Sequence, residues 1–319
     1  MVRHPNASAV AAVVVCYFPD QSALQAQVRA LAPQVGQVFV IDNTPSASDP
    51  GVAGWLAGER CELIANGRNV GLAIAHNDGI SRARAAGHSF VLLMDQDSSP
   101  KPTMVARLLD AYEALCASGT RVAAVGPQWI DRHSGQPAPF VKLGWFGMQQ
   151  LTCSGGATTI ECDTLVSSGC LIPLEVIDRV GPMDSELFID QIDIEWGLRA
   201  QRHGYRLHGA CGAILRHGIG ERSVRVWFLR WRNVSVHSPL RDYYIARNIV
   251  AVFFRRPAPL RWRLFNLRLL LGLLFVMGTQ VPPRGERLRM SLRGIADGWC
   301  GRLGAFRRGS GAKRSGSSA

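Results

Sequence analysis

Short apolar runs rich in β-branched residues alternate, over the first two thirds of the chain, with stretches whose apolar positions recur every three or four residues. Val10 to Tyr17, Val38 to Asp42, Glu62 to Ala65, Ser89 to Met94 and Val122 to Pro127 have the length of buried strands. Ser22 to Ala32, Ala73 to Ala86 and Thr103 to Ala117, lying between them, carry helical spacing. Such alternation predicts βαβ units: an α/β fold with a mostly parallel central sheet flanked by helices, whose ligands bind beyond the carboxyl ends of the strands. Three of those ends are polar: Tyr17-Phe18-Pro19-Asp20, Asp42-Asn43-Thr44 and Asp95-Gln96-Asp97.

Residues 128 to 165 lack a clear period and predict irregular strands and loops. Thr164 to Ile172 reads as a strand, Glu175 to Val180 and Ile192 to His203 as helices, and Tyr205 to Leu207 and Ala213 to His217 as two further strands. Beyond Glu221 the character changes. Val224 to Trp231 and Leu240 to Phe254 are basic and aromatic at helical spacing, and Leu260 to Met277 is mostly apolar. A membrane-crossing helix needs about 20 apolar residues, and Asn266 and Arg268 interrupt this one. Two readings stay open: an interfacial helix or re-entrant hairpin flanked by Arg255, Arg256, Arg261, Arg263, Arg284, Arg287 and Arg289, or a core helix packed on the rest. Arg307 to Ala319, all Gly, Ser, Ala and basic residues, predict disorder. The expected division is a catalytic domain over 1–225, a basic, apolar helical extension over 226–306 and a tail over 307–319.

Charge sharpens that division. The formal net charge is +12, but after Leu215 there are 21 Lys and Arg against 4 Asp and Glu, whereas residues 1–215 hold 15 against 20. The back of the chain therefore seeks anions. Its cations lie among Leu and Phe runs and in no nucleic-acid-binding module, so an anionic membrane surface is favoured over nucleic acid. The eight cysteines show neither C-x-x-C nor zinc spacing and predict unpaired thiols in a reducing compartment. Arg3 and His4 ahead of Ala9 to Val15 imitate a signal peptide, but Val14 and Val15 are too bulky for its cleavage site and the run flows into Tyr17 as a strand into a loop. The expected location is the cytoplasm, peripheral on the inner face of the membrane.

The chemistry starts at Asp95 and Asp97. Two like charges at the end of a buried strand repel each other and resist desolvation unless a cation lies between them, and carboxylate oxygens suit Mg2+ or Mn2+. A nicotinamide-dependent oxidoreductase is excluded, because the first strand-to-helix turn carries Tyr17-Phe18-Pro19-Asp20 where G-x-G-x-x-G would be needed.

Taken in order, Val40-Ile41-Asp42-Asn43, Asn69-Val70-Gly71-Leu72-Ala73, Met94-Asp95-Gln96-Asp97, Ser168-Gly169-Cys170, the segment Phe188 to Trp196, His217, and Arg241-Asp242-Tyr243-Tyr244 with Arg247-Asn248 resemble the family 2 glycosyltransferases of GT-A fold, in their bacterial rhamnosyltransferase branch. The resemblance spans about residues 10 to 255. It implies that Asp97, with Asp95, holds the metal, and that His217 ligates it or touches a diphosphate. Tyr17, Asp42, Asn43, Asn69, Gly71, Asp95 and Arg247 would meet a nucleotide sugar, with Arg241 beside Arg247 as a diphosphate clamp. Ser168, Gly169 and Trp196 would face the acceptor. Read without the resemblance, Asp42-Asn43 could be a simple turn and Asn69-Val70-Gly71 a loop needing positive φ. The family's catalytic base falls on Asp193. Many relatives read Glu-Asp where Ile192 precedes Asp193, which leaves Asp190 as the alternative. The implied reaction is an inverting transfer of L-rhamnose from dTDP-L-rhamnose to a lipid-linked or growing cell-surface glycan; a UDP-hexose donor is not excluded by any residue.

Overall fold

The structure, a computed structural model, describes residues 5–45, 60–132, 135–144, 147–154, 156–217, 222–228, 230–256 and 258–307. The Gly-Ile-Gly after His217 and residues 308–319 of the tail lie outside them. The first half runs β1 (Val10–Cys16), α1 (Gln21–Leu31), β2 (Gln37–Asp42), β3 (Cys61–Ala65), α2 (Leu72–Ala85), β4 (Phe90–Asp95), β5 (Ser99–Pro100), α3 (Met104–Ala117) and β6 (Val122–Asp131). It continues with β7 (Phe140–Leu143), β8 (Met148–Leu151), β9 (Thr159–Cys162), β10 (Cys170–Pro173), α4 (Leu174–Val180), α5 (Ile192–Arg202) and β11 (Arg206–His217). The chain then forms β12 (Arg222–Phe228), β13 (Arg230–Val236), α6 (Pro239–Arg255), α7 (Leu260–Thr279) and α8 (Arg284–Cys300).

The main sheet follows the order β3-β2-β1-β4-β10-β6-β11-β5, with β9 on β11. Its first four strands are parallel, as the βαβ pattern requires, and β10 joins them antiparallel to β4 and β6. All seven residues of β1 are buried, and they divide by alternation. Val13 and Val15 join one core with Ala73, Ala75 and Ile80 of α2, while Val10, Ala12 and Val14 join a second with Leu24 and Val28 of α1 and Leu108 of α3. Register aligns the functional edge: Cys16 lies opposite Asp42, and Val15 opposite Asp95. Asp20 caps α1 by accepting the Ala23 N–H at 3.0 Å, which ends the first polar loop where the helix begins.

Four expectations need correction. The two strands read over Tyr205 to His217 are one strand, β11, with a register shift between Ala210 and Ile214. The strand read over Thr164 to Ile172 shortens to β10, because Gly169 adopts a φ of 82° and turns the chain just before it. Val224 to Trp231 is not helical: β12 and β13 pair antiparallel, Val226 buried against Val276, Met277 and Val281 while Arg225 and Trp227 face outward, a period of two. The extension thus opens with a hairpin and becomes helical only at α6. Finally, the cysteines are not all unpaired. Cys153 and Cys211, 58 positions apart, form a disulfide across a Cα separation of 5.7 Å, so the reducing compartment loses the support it drew from eight free thiols.

In the extension α8 lies close along α6. A Cβ at Gly294 would stand 2.3 Å from the Tyr243 carbonyl oxygen, and one at Gly298 2.4 Å from that of Arg247, so only glycine permits this approach. A buried ion pair, Arg287 Nη1 to Asp242 Oδ2 at 2.6 Å, fastens the two helices. Arg287 therefore does not face a lipid surface, and Arg256 is likewise engaged, by Asp184 and Glu186. Among the described residues no helix is long and apolar enough to cross a membrane.

Candidate active site

The carboxyl ends of β1, β2 and β4 form a single rim. Tyr17 N–H donates to Gln96 Oε1 at 2.6 Å and Gln96 Nε2 returns a bond to Tyr17 O at 3.2 Å, tying the loop after β1 to the Asp-x-Asp turn. Phe18 N–H donates to Thr44 Oγ1, whose own N–H is held by Asp42 Oδ1. Tyr17 and Phe18 are exposed and meet edge to face, leaving aromatic surface beside Asp42. Asn43 is buried and satisfied within the fold: its Nδ2 donates to Gly71 O and its Oδ1 accepts from Asn66. Asn69 Oδ1 accepts the Gly71 N–H at 2.9 Å, and Gly71, at φ 90°, presses against Phe188, where a Cβ would come within 2.6 Å of the ring. The Asn-x-Gly motif thus shapes the rim through local bonds and joins it to the acidic loop before α5.

Ser168, fully buried, supports the turn from below. Its hydroxyl accepts the Asp95 N–H at 3.1 Å and lies 2.6 Å from the Ser98 hydroxyl. Gly169 has no room for a side chain against Pro127 and Leu215, and Trp196, 3 % exposed, donates its indole N–H to Gly181 O. Ser168, Gly169 and Trp196 therefore stand behind the site and not on an acceptor-facing surface, because each is committed to packing or to a buried hydrogen bond.

Asp95 is partly buried and Asp97 exposed. Burial first, and then the charges of Asp97 and Asp193, push the Asp95 carboxyl up to about 7, with Arg241 opposing them. Asp193, at the start of α5, accepts N–H bonds from Ile194 at 2.8 Å and Ser167 at 3.3 Å. Burial nonetheless outweighs those bonds and lifts its carboxyl to about 6, with Asp190 adding to the rise. Asp190 is forked by Arg241, whose Nε and Nη2 lie 3.0 to 3.3 Å from its two oxygens. Arg241 is thus the partner of an acid in the site.

Phe188, Asp190 and Gln191 all have φ near +65°, a costly run for residues with side chains. Asn248 of α6 holds the run by donating to the carbonyls of Leu187, Ile189 and Asp190. Arg247, 0 % exposed, donates to Asn248 Oδ1 and to the carbonyls of Leu187 and Gly304, and its guanidinium lies over Tyr244. Arg247 cannot reach a diphosphate from there; it ties the extension to the acidic loop. His217 closes β11, and its side chain lies outside the described residues.

Among the described residues Asp95, Asp97, Asp190 and Asp193 stand near one another with Arg241 paired to Asp190, and such hard oxygen donors fit Mg2+ or Mn2+. Among the described residues no cluster of three or more His, Cys, Asp or Glu could hold a metal ion by itself. Asp97 and Asp95 would hold such an ion, which would neutralise charge on substrate phosphates. Sequence reasoning quoted Gln96 and Asn248 within motifs but gave them no role, and passed over Ser98, because the roles of all three arise only once the chain has folded back on itself.

Residues 12–165 match Glycosyl transferase family 2. Over 255 residues the chain is 31 % identical to the dTDP-rhamnosyl transferase RfbF of Shigella flexneri, an alignment covering 79 % of this chain and 82 % of that one. A structure of Staphylococcus aureus TarS superposes with a TM-score of 0.55 at 14 % identity, covering 92 % of this chain and 81 % of that one. A structure of GalNAc-T7 with UDP, GalNAc and Mn2+ gives 0.55 at 13 % identity, covering 86 % of this chain and 58 % of that one, so the chain spans little more than half of GalNAc-T7. These two likenesses carry the fold, GT-A, and the sequence relationship carries the rest: the chain belongs to glycosyltransferase family 2 and is a glycosyltransferase.

Proposed function

We propose that this glycosyltransferase moves L-rhamnose from dTDP-L-rhamnose, with inversion and with a divalent metal, onto a lipid-linked or growing cell-surface polysaccharide. The observation that carries the reading is the gathering of Asp95 and Asp97 at the end of β4 with Asp193 at the start of α5, where burial and the charges of Asp97 and Asp193 raise the Asp95 carboxyl and burial with Asp190 raises that of Asp193. Likeness to a dTDP-rhamnosyl transferase supports the donor. Mg2+ or Mn2+ on Asp97, with Asp95 beside it and His217 as a further candidate ligand, would neutralise the charge on the departing diphosphate. Asp193 accepts the proton of the acceptor hydroxyl as that oxygen bonds C1 of the sugar and the C1–O bond to the diphosphate breaks, the electron pair leaving with dTDP. Tyr17 and Phe18 offer faces for the base, and Asp42 an acceptor for a donor group of the nucleoside.

The test is nucleotide diphosphate release from a panel of UDP-, GDP- and dTDP-sugars with Mg2+ or Mn2+, with and without lipid-linked acceptor, repeated in excess EDTA. dTDP-rhamnose should turn over fastest and EDTA should stop the reaction. A faster UDP-hexose reassigns the donor, and undiminished turnover in EDTA removes the metal.

The membrane partner rests on α7. At 100° per residue, its buried Trp262, Asn266, Leu270 and Met277 share one face. Leu260, Leu264, Leu267, Leu271 and Phe275 form an exposed stripe on the opposite face, Leu260 at 60 % and Leu271 at 58 %. Apolar side chains on both faces of a helix covered on one imply an occupant for the other. On neighbouring α8 exposed Leu288 lies beside Gly278 of α7, and Arg289 and Leu292 of the same helix are exposed as well, adding positive charge and apolar surface. An anionic leaflet is the occupant this combination favours, which supports a peripheral location on the inner membrane face beside a lipid-linked acceptor. Leu271→Glu with Phe275→Glu should lower sedimentation with phosphatidylglycerol vesicles at least about tenfold, one buried leucine being worth that much, while phosphatidylcholine vesicles bind weakly throughout. A wild-type dimer in light scattering that the double variant dissolves, without vesicle binding, would assign the stripe to a second copy instead.

A further inference from the structure

His76, on α2, is 1 % exposed, and among the described residues neither ring nitrogen has a hydrogen-bond partner. Burial keeps its imidazole neutral, with a pKa of about 4, so the ring carries one N–H donor and one bare acceptor. Buried polar groups are almost always satisfied, and a histidine with two idle nitrogens inside a close-packed domain calls for a partner. A cavity of about 20 Å³ borders the ring. Its walls include the apolar Leu93, Ile172 and Trp196 and the more polar Ser167, Cys170 and Asp193. That space is enough for one water, and a buried water requires two to four polar partners, which His76 and the Asp193 carboxylate together supply.

We infer that His76 is a positioning residue for Asp193, acting through a single water in this cavity. The water donates one hydrogen to the Asp193 carboxylate and meets the imidazole with its other hydrogen or with a lone pair. Asp193 then has bonds from the Ser167 and Ile194 N–H groups and a third from the water, which together fix the carboxylate plane at the moment it receives a proton. A water is the fitting agent, because it can turn to accept from the carboxyl once protonated, whereas the two backbone N–H groups can only donate. The inference rests on the assignment of Asp193 as the base.

Two variants and one structure test it. His76→Leu removes both ring nitrogens and should lower kcat about tenfold, the order expected for one lost water-mediated hydrogen bond at a reacting group, with the donor KM unchanged. His76→Gln keeps a donor and an acceptor and should stay within about twofold of the parent. A crystal structure of the parent should show a water within hydrogen-bond distance of both His76 and Asp193, absent from His76→Leu. If His76→Leu keeps the parental kcat and loses only thermal stability, or the cavity is dry, the positioning role is wrong while the base assignment stands. Should His76→Leu fail to fold, His76→Gln and the cavity water still decide. Asp193→Asn measured alongside separates the two claims: if it remains active, the base assignment fails and this inference with it.

Discussion

Replacing Asp193 with asparagine is expected to lower kcat by about 10² to 10⁴, the usual contribution of a positioned general base, while donor binding measured by calorimetry stays close to that of the parent. The amide keeps the size of the side chain and an oxygen for one of the Ile194 and Ser167 N–H groups, which bond to different carboxylate oxygens in the parent, but it cannot accept the acceptor's proton. The pH profile should carry the same signature. Burial lifts the Asp193 carboxyl to about 6; below that pH it is protonated and cannot act as a base, and above it is ionised and can. kcat should therefore rise with pH through about 6 and then level, and the residual rate of Asp193→Asn should lack this limb. Asp190→Asn supplies the control. It breaks the fork with Arg241, a partly exposed pair, so it should loosen the acidic loop and raise KM without erasing the acid limb. If Asp190→Asn erases the limb and Asp193→Asn keeps it, the roles are reversed.

The parallel half of the sheet could be read from the sequence because β1, β2 and β4 are buried on both faces, and continuous burial writes itself as continuous apolar runs ending at their polar loops. The placement of Asp42 and Asp95 at the ends of β2 and β4, with Asp97 just beyond, was legible for the same reason: a charge directly after such a run stands out. The hairpin was not. Trp227 and Trp231 are four apart, the spacing of neighbours on a helix, yet in the fold they lie opposite each other on β12 and β13. One spacing serves both geometries, and only the alternation of Val224 and Val226 with Arg225 and Trp227 distinguishes them. The disulfide was invisible because its two cysteines are brought together by the bulge in β11 and a long loop, neither of which leaves a local signal.

The acidic loop shows why site residues divide less cleanly than strands. Nothing in Phe188-Ile189-Asp190-Gln191 signals positive φ, since the conformation is imposed by Asn248 on three carbonyls. Arg247 was read as a phosphate clamp because arginine forks suit phosphates; its place in the apolar series Tyr243, Ala246, Val250 and Ala251 was the better guide, and the guanidinium is spent on carbonyls and aromatic rings. The site is therefore built by two parts of the chain with opposite character, an acidic rim on the sheet and a basic helical extension that holds the loop carrying Asp190 in place.

Asp97→Ala tests the electrostatic basis of that rim. The side chain is exposed, so its removal should leave the melting temperature nearly unchanged, as for most surface substitutions. Its effect on turnover should be large. A divalent ion is worth several kcal/mol to a transition state in which charge builds on a departing diphosphate, and each 1.36 kcal/mol is tenfold in rate, so a loss of about 10³ in kcat/KM is expected. Raising Mn2+ should recover part of it, since Asp95 remains as a weaker anchor, whereas raising the nucleotide sugar alone should not. Removing the Asp97 charge also takes away one of the two anions that raise the Asp95 carboxyl. Asp95 should then titrate lower than in the parent, a shift that carbonyl-region NMR of the metal-free proteins would detect. Undiminished turnover in Asp97→Ala, with an unchanged metal titration, would show that the acids at the end of β4 serve the fold and not the donor.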